Sequence, residues 1–217
     1  MTATATTTVA AAARRAQWRA FWLRQLYQWH WISAALSLVG MLLFAITGIT
    51  LNHASQIKAQ PQVQRFQAVL PPALLSALTA DHAADAGELP PALQRWLTQQ
   101  WSVTTAGVVP EWSDDEVYLS LPRPGGDGWL SIERASGAVE YERTDRGWVS
   151  YLNDLHKGRH TGGVWTAFLD VFAIVCLVFS ISGLLLLQMQ AARRPSTWPL
   201  TGLGLLIPLL LALLFIH

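Results

Sequence analysis

Between His30 and His53 the chain runs from Trp31 to Asn52 with no charged residue and no proline. About 20 such residues, each rising 1.5 Å, make roughly 30 Å of helix, which matches the hydrocarbon core of a bilayer. The stretch reads as a membrane-spanning helix with a histidine at each membrane surface. Taken singly, each histidine reads as well as a polar end of the span as it does as a functional group. Two further histidines, His156 and His160, stand just ahead of the next apolar run and give the functional reading its weight.

Composition fits the same frame. The chain is 52% apolar and 13% charged, with too few charges for an ordinary soluble domain and too many for a bare membrane bundle. A small membrane protein with one soluble insertion satisfies both. Charge is unevenly placed. Residues 1–29 carry Arg14, Arg15, Arg19 and Arg24 and no acid, while the stretch 53–163 holds every acidic residue except Asp170. Arg193 and Arg194 follow the second apolar run. By the positive-inside rule the N-terminus and the 191–197 loop are expected in the cytoplasm, with residues 54–160 periplasmic across a bacterial inner membrane. The first apolar run is longer than a signal-peptide core, and Asn52-His53 follows it instead of a cleavage site, so it is expected to remain as an anchor. Cys176, the only cysteine, falls inside the second span and excludes both an intrachain disulfide and a CxxC site.

The chain then divides into a cytoplasmic tail with a basic interfacial helix (1–28), a first span (29–53), an α+β periplasmic domain (54–150), a re-entry segment and second span (151–190), a cytoplasmic loop (191–197) and a third span (198–217). Residues 1–13, rich in Ala and Thr, read as an unstructured tail. Arg14 to Tyr27 interleaves arginines with Trp18, Phe21, Trp22 and Tyr27 and abuts a span, which favours lipid headgroups over nucleic acid. Ser33, Ala34, Ser37, Gly40 and Gly48 lie towards one side of the first span, leaving room either for a close helix neighbour or for a flat cofactor ring. In the insertion, Pro71-Pro72 and Pro90-Pro91 open helices predicted over Ala73–Ala80 and Ala92–Trp101. Strands are predicted at Val103–Val109, Glu116–Leu121, Trp129–Arg134 and Ala138–Arg143, with turns at Pro124–Gly128 and Ala135–Gly137. The second span is read from Gly163 to Met189 and the third from Trp198 to Ile216, which places His217 outside.

His156 and His160 are four apart, so on a continuous helix they share a face, which Gly163, Ala167 and Asp170 extend. With His53 they put three imidazoles at one membrane surface. Neutral imidazole is a common metal ligand and a usual axial ligand of haem iron. A zinc or copper site from the same three histidines competes with that reading, although no carboxylate pair or thiolate accompanies it. His82 reads as a surface residue. Asp170, inside a span, is either functional or snorkels or pairs with Arg159 or His160. Lys157 and Arg159 face either a haem propionate or headgroups.

These residues resemble the PepSY-associated transmembrane-helix family. The likeness lies in Trp29-His30-Trp31 with Ile46-Thr47-Gly48-Ile49-Thr50-Leu51-Asn52-His53, in Leu152-Asn153-Asp154-Leu155-His156-Lys157-Gly158-Arg159-His160-Thr161-Gly162, and in Ser180-Ile181-Ser182-Gly183-Leu184-Leu185-Leu186. Ile132 to Val139 stands where PepSY modules carry a D-x-x-T-G-x-V turn. The resemblance implies a membrane α-helical protein of three transmembrane helices with a small α+β PepSY-like periplasmic insertion. Because relatives include haem-containing inner-membrane reductases of ferric siderophores, it also implies haem b held by His53 with His156, His160 as the alternative ligand, and His30 near a second, cytoplasmic-side haem. The larger reductases carry more spans. With three, this chain offers His30 no histidine on its own side, so a second haem requires a homodimer, a partner membrane subunit or Met189 as ligand.

The expected function is electron transfer across the membrane to a periplasmic acceptor such as a ferric siderophore, as a reductase or a reductase subunit. The alternatives are a non-catalytic PepSY anchor that binds a periplasmic partner by strand addition, and a copper- or zinc-handling subunit. No P-loop, dinucleotide fingerprint or nucleophile–base pair is present.

Overall fold

The computed structural model describes residues 13–58, 60–78 and 87–216 in full and residues 2–12 and 79 as backbone. The 1–13 tail, expected to be unstructured, is helical backbone from Thr2 onward as the start of the first helix, and the expectations for His82 and His217 lie outside the described residues. Helix α1 spans Thr2–Asn52, followed by β1 (Gln62–Val69), α2 (Pro72–Thr79), α3 (Pro91–Trp101), β2 (Glu111–Trp112), β3 (Glu116–Ser120), β4 (Gly126–Glu133) and β5 (Ala138–Asp145). Helices α4 (Trp148–Lys157), α5 (Gly162–Gln190) and α6 (Thr197–Phe215) complete the chain. Among the described residues three helical stretches, Ala13–Asn52, Gly162–Arg193 and Thr197–Phe215, are long and apolar enough to cross a membrane.

The chain forms two compact units, one of residues 1–43 with 168–217 and the other of residues 44–167. In the first, α1 and α5 pack through small residues. Ser33 and Ser37 are buried, and each returns its hydroxyl to a carbonyl one turn back, at 2.7 Å to Trp29 and Ser33 respectively. Gly40 lies against the Phe172 ring, where a Cβ would come within 2.4 Å of it. The small-residue side of the first span is thus a helix-packing surface along this part. The basic stretch Arg14–Tyr27 is continuous with α1, since no Gly or Pro interrupts it.

In the second unit a five-stranded antiparallel sheet runs in the order β1-β5-β4-β3-β2. Alternation sends Val117, Leu119, Leu130, Ile132 and Val139 to one face, where they bury against Leu78, Leu93 and Leu97 of α2 and α3. Pro91 starts α3 and Ser102, at φ 55°, ends it. Phe66, Trp101 and Tyr141 stack along the rim of this core at centroid separations of 5.6 to 6.2 Å.

In this unit two expectations are corrected and one strand is added. Val103–Val109 is not a strand. Val103 and Thr105 are buried singly, and the chain then turns, with Val108 N–H donating to the Thr105 carbonyl. Strand β1 was not predicted, because only Phe66 and Ala68 face inward from a Gln-rich edge strand. Strand β4 starts at Gly126 and takes in Gly126 and Gly128, which were read as turn. A Cβ on Gly126 would meet the Thr144 carbonyl at 2.3 Å, so these glycines permit close strand approach.

The turn from β5 to α4 is held by Asp145, which accepts the Gly147 N–H at 2.8 Å and Arg123 Nη2 at 3.2 Å. The Gly147 hydrogen bond, and then the Arg123 guanidinium, hold the Asp145 carboxyl below its usual range. Its contribution to stability is therefore complete above the ordinary aspartate value of about 4 and is lost as pH falls through the depressed value. Asp145→Asn is expected to lower the thermal midpoint near neutral pH, and the gap to wild type should close in acid. A gap independent of pH would contradict this.

Candidate functional site

Helix α4 follows Gly147 and stops at Gly158, whose φ of 65° and N–H bonds to the Asp154 and Leu155 carbonyls close the last turn. His160 then adopts φ 56° and Gly162 φ 77° before α5 begins. His156 and His160 therefore do not share a helical face, and α5 does not prolong the His156 face. The sequence carried this signal as Lys157 in the last turn with Gly158 beyond it.

His156 is half-buried. It lies beside Gly48, where a Cβ would stand 3.6 Å from Cε1, and its ring is 4.8 Å from that of Phe44. Its Nδ1 is 2.7 Å from Thr47 Oγ1, and that hydroxyl also donates to the Phe44 carbonyl at 3.2 Å. A hydroxyl can play either role; with its proton on the carbonyl it accepts from His156 Nδ1–H. One turn earlier on α4, the buried Asn153 receives the Thr50 hydroxyl at 2.9 Å. Asn153 and His156, three apart, thus meet Thr50 and Thr47, also three apart, and the last turns of α1 hold the histidine-bearing face of α4.

His53 is exposed just past α1, with Nδ1 3.0 Å from the Ile49 carbonyl. A carbonyl only accepts, so this nitrogen carries the proton. At about 100° per residue His53 lies about 140° around the helix from Gly48, the position His156 faces.

His30 belongs to the other unit and is described within it. Its Nδ1 is 3.2 Å from the Phe179 carbonyl and 3.1 Å from Ser182 Oγ, and its ring stacks on Phe179 at 4.6 Å. Gly183 gives it room, since a Cβ there would lie 3.2 Å from Cε1. A cavity of about 290 Å³ adjoins it, lined by His30, Gly183, Leu186, Leu187 and Gln190.

His30, His53 and His156 thus have one feature in common. Nδ1 is tied to an oxygen, and Nε2 has no hydrogen-bond partner among the described residues. With Nδ1 as the donor, such a bond sets the tautomer and the orientation of the ring. His160, Lys157 and Arg159 are exposed, and Asp170 is exposed on α5. Among the described residues no three His, Cys, Asp or Glu side chains gather as a metal-binding group, so the three-histidine zinc or copper centre is not assembled.

Several contributors were not anticipated as part of a site. Thr47 and Thr50 are the polar interruptions near the end of an otherwise apolar span, and Asn153 lies one turn before His156. Asp154 is buried and accepts the Gly125 N–H at 2.9 Å, which joins α4 to the sheet. Their shared helical spacing was visible, but their pairing was not.

Residues 21–217 match the PepSY_TM-like family, and the match takes in all three apolar helices and the sheet between the first two. No curated protein and no solved structure matches the chain. With the family covering nearly the whole sequence, the chain is a membrane protein of the PepSY_TM-like family.

Proposed function

We propose that this protein is a membrane haem b protein that passes electrons to an acceptor on the side of residues 54–160, with His156 as the first residue that would hold the haem iron. The observation that supports this most is the state of the imidazole. Thr47 fixes Nδ1 and leaves Nε2 as a lone pair beside Gly48, in a half-buried setting. That is the donor chemistry haem iron takes from histidine, and the small neighbour suits a flat ring. His53, tied by the Ile49 carbonyl, is the second candidate on the same side, with His160 behind it. His30 has the same tethering and would help hold a second haem, with a homodimer or a partner membrane subunit supplying the further residue it needs.

When bound, haem b supplies one-electron chemistry. The residues of this chain hold and orient the ligand nitrogen, keep its tautomer and limit access of water. In this reading the N-terminus is cytoplasmic, the sheet is periplasmic at a bacterial inner membrane, the helices lie in the lipid bilayer, and a ferric siderophore is one acceptor. A second reading rests on β1, an eight-residue strand that among the described residues pairs only with β5 and leaves its other edge for a partner strand. Absorption spectra of purified protein from haem-supplemented cells separate the two. A Soret band with sharp α and β bands on dithionite reduction is the expected result. A colourless protein would overturn the haem reading and favour the anchoring one.

A further inference from the structure

A cavity of about 500 Å³ opens at the start of α4, lined by Lys58, Gln60, Arg146, Trp148, Ser150 and Asn153 among others. Its volume is within the range of small-molecule sites, roughly 300–1,000 Å³. The lining is one-sided in charge, with two cations and no acidic side chain. The Lys58 ammonium has no hydrogen bond or ion pair among the described residues, and Arg146 commits only Nη2, to the Gly126 carbonyl at 2.9 Å. The neighbouring carboxylates are already engaged, Asp145 at the cavity's rim with Gly147 and Arg123, and Asp154 with Gly125. Two cations on one lining repel each other, and a bound anion relieves that repulsion. The first turn of α4, which no side chain caps, adds to the same positive potential. Trp148, 72% exposed, offers an aromatic wall, while Gln60, Ser150 and Asn153 offer neutral donors. The lining also reaches the site described above, because Asn153 precedes His156 by one turn and Ala54 follows His53.

We propose that this cavity binds the oxyanion group, carboxylate or phosphate, of a small ligand. Resting on the haem reading, that ligand is the electron acceptor, held one helical turn from His156. The test uses the full-length protein in phosphatidylcholine nanodiscs, titrated calorimetrically with citrate, with spermidine as the cationic control. Saturable citrate binding is expected, weakened about tenfold or more by Lys58→Gln and restored by Lys58→Arg, with Arg146→Lys as a second, milder probe. Mass spectrometry of the same preparations separates the sources of the oxyanion. A retained anionic phospholipid that Lys58→Gln releases identifies a lipid headgroup as the ligand, which supports the site and removes the acceptor role. Citrate or phospholipid retention indifferent to Lys58→Gln overturns the site. Absorption is read in parallel. A colourless protein that binds citrate through Lys58 keeps the cavity and loses the acceptor role, whereas a haem-loaded protein indifferent to Lys58→Gln keeps the haem and loses the cavity.

Discussion

Replacing His156 by alanine is expected to remove most of the haem absorbance from protein purified out of haem-supplemented cells, while His160→Ala leaves it unchanged. The contrast follows from placement. His156 is half-buried between Phe44, Thr47 and Gly48, whereas His160 is exposed beyond the end of α4. Thr47→Val separates ligation from packing. It preserves shape, removes the oxygen 2.7 Å from His156 Nδ1 and leaves His156 itself in place. Loss of such an outer-shell partner typically costs about 10- to 100-fold in metal affinity. Thr47→Val is therefore expected to retain haem at saturating supply but to release it more readily in competition with apomyoglobin. His156→Ala should bind little at any supply. If both variants keep wild-type spectra and haem retention, His156 is not a ligand and the histidine reading falls.

Gly125→Ala is expected to be among the most damaging single-methyl changes in the sheet-bearing unit. Gly125 sits at φ +71°, and an added Cβ would lie 2.7 Å from Tyr151 Cα and 2.8 Å from its backbone nitrogen. The left-handed conformation costs a side-chain-bearing residue about 1–2 kcal/mol. The overlap is with backbone, which cannot swing aside, and overpacking of this kind adds about 1–3 kcal/mol. Gly107 makes the control. Its φ is +76° with nothing within 4 Å, so Gly107→Ala should show only the first of these costs. Thermal denaturation of the detergent-purified full-length variants checks the ranking, and equal losses for the two would refute it. The Gly125 change should also reach the site. Its N–H donates to the buried Asp154 on α4 at 2.9 Å and its carbonyl accepts the Arg146 N–H at 2.8 Å. Displacing this turn moves the helix that carries His156, so reduced haem content is expected together with the lower midpoint.

Much of the architecture is legible one element at a time. The spans are visible because a bilayer demands an uninterrupted apolar run of a set length, a demand on consecutive residues alone. Helix α3 is visible because Leu93, Trp96, Leu97 and Trp101 repeat at helical spacing behind Pro91. Strands β3 and β5 show their alternation in the same way. Strand β1 does not, because an edge strand with one half-open face needs few apolar residues, and Gln62, Gln64 and Gln67 blur the period. Val103–Val109 misleads for the opposite reason. Its apolar residues are buried one by one against the core, while its backbone turns instead of pairing.

The candidate site divides along the same line. The presence of His30, His53 and His156 at the ends of apolar runs is a property of the sequence by itself, and so is membership of a membrane family, since both depend on residue type and spacing. The states of His30 and His156 were decided by the tertiary structure, whereas His53 is tied to the Ile49 carbonyl one turn back. Gly158 ends α4 and separates His160 from His156, a local rule whose consequence appears only once the helix direction is known. The hydroxyl that fixes the His156 tautomer comes from a residue 109 positions away, and the carbonyl beside His30 Nδ1 from one 149 positions away. A hydrogen bond acts over about 3 Å. No pattern along the chain encodes which groups will come within that distance once the helices pack.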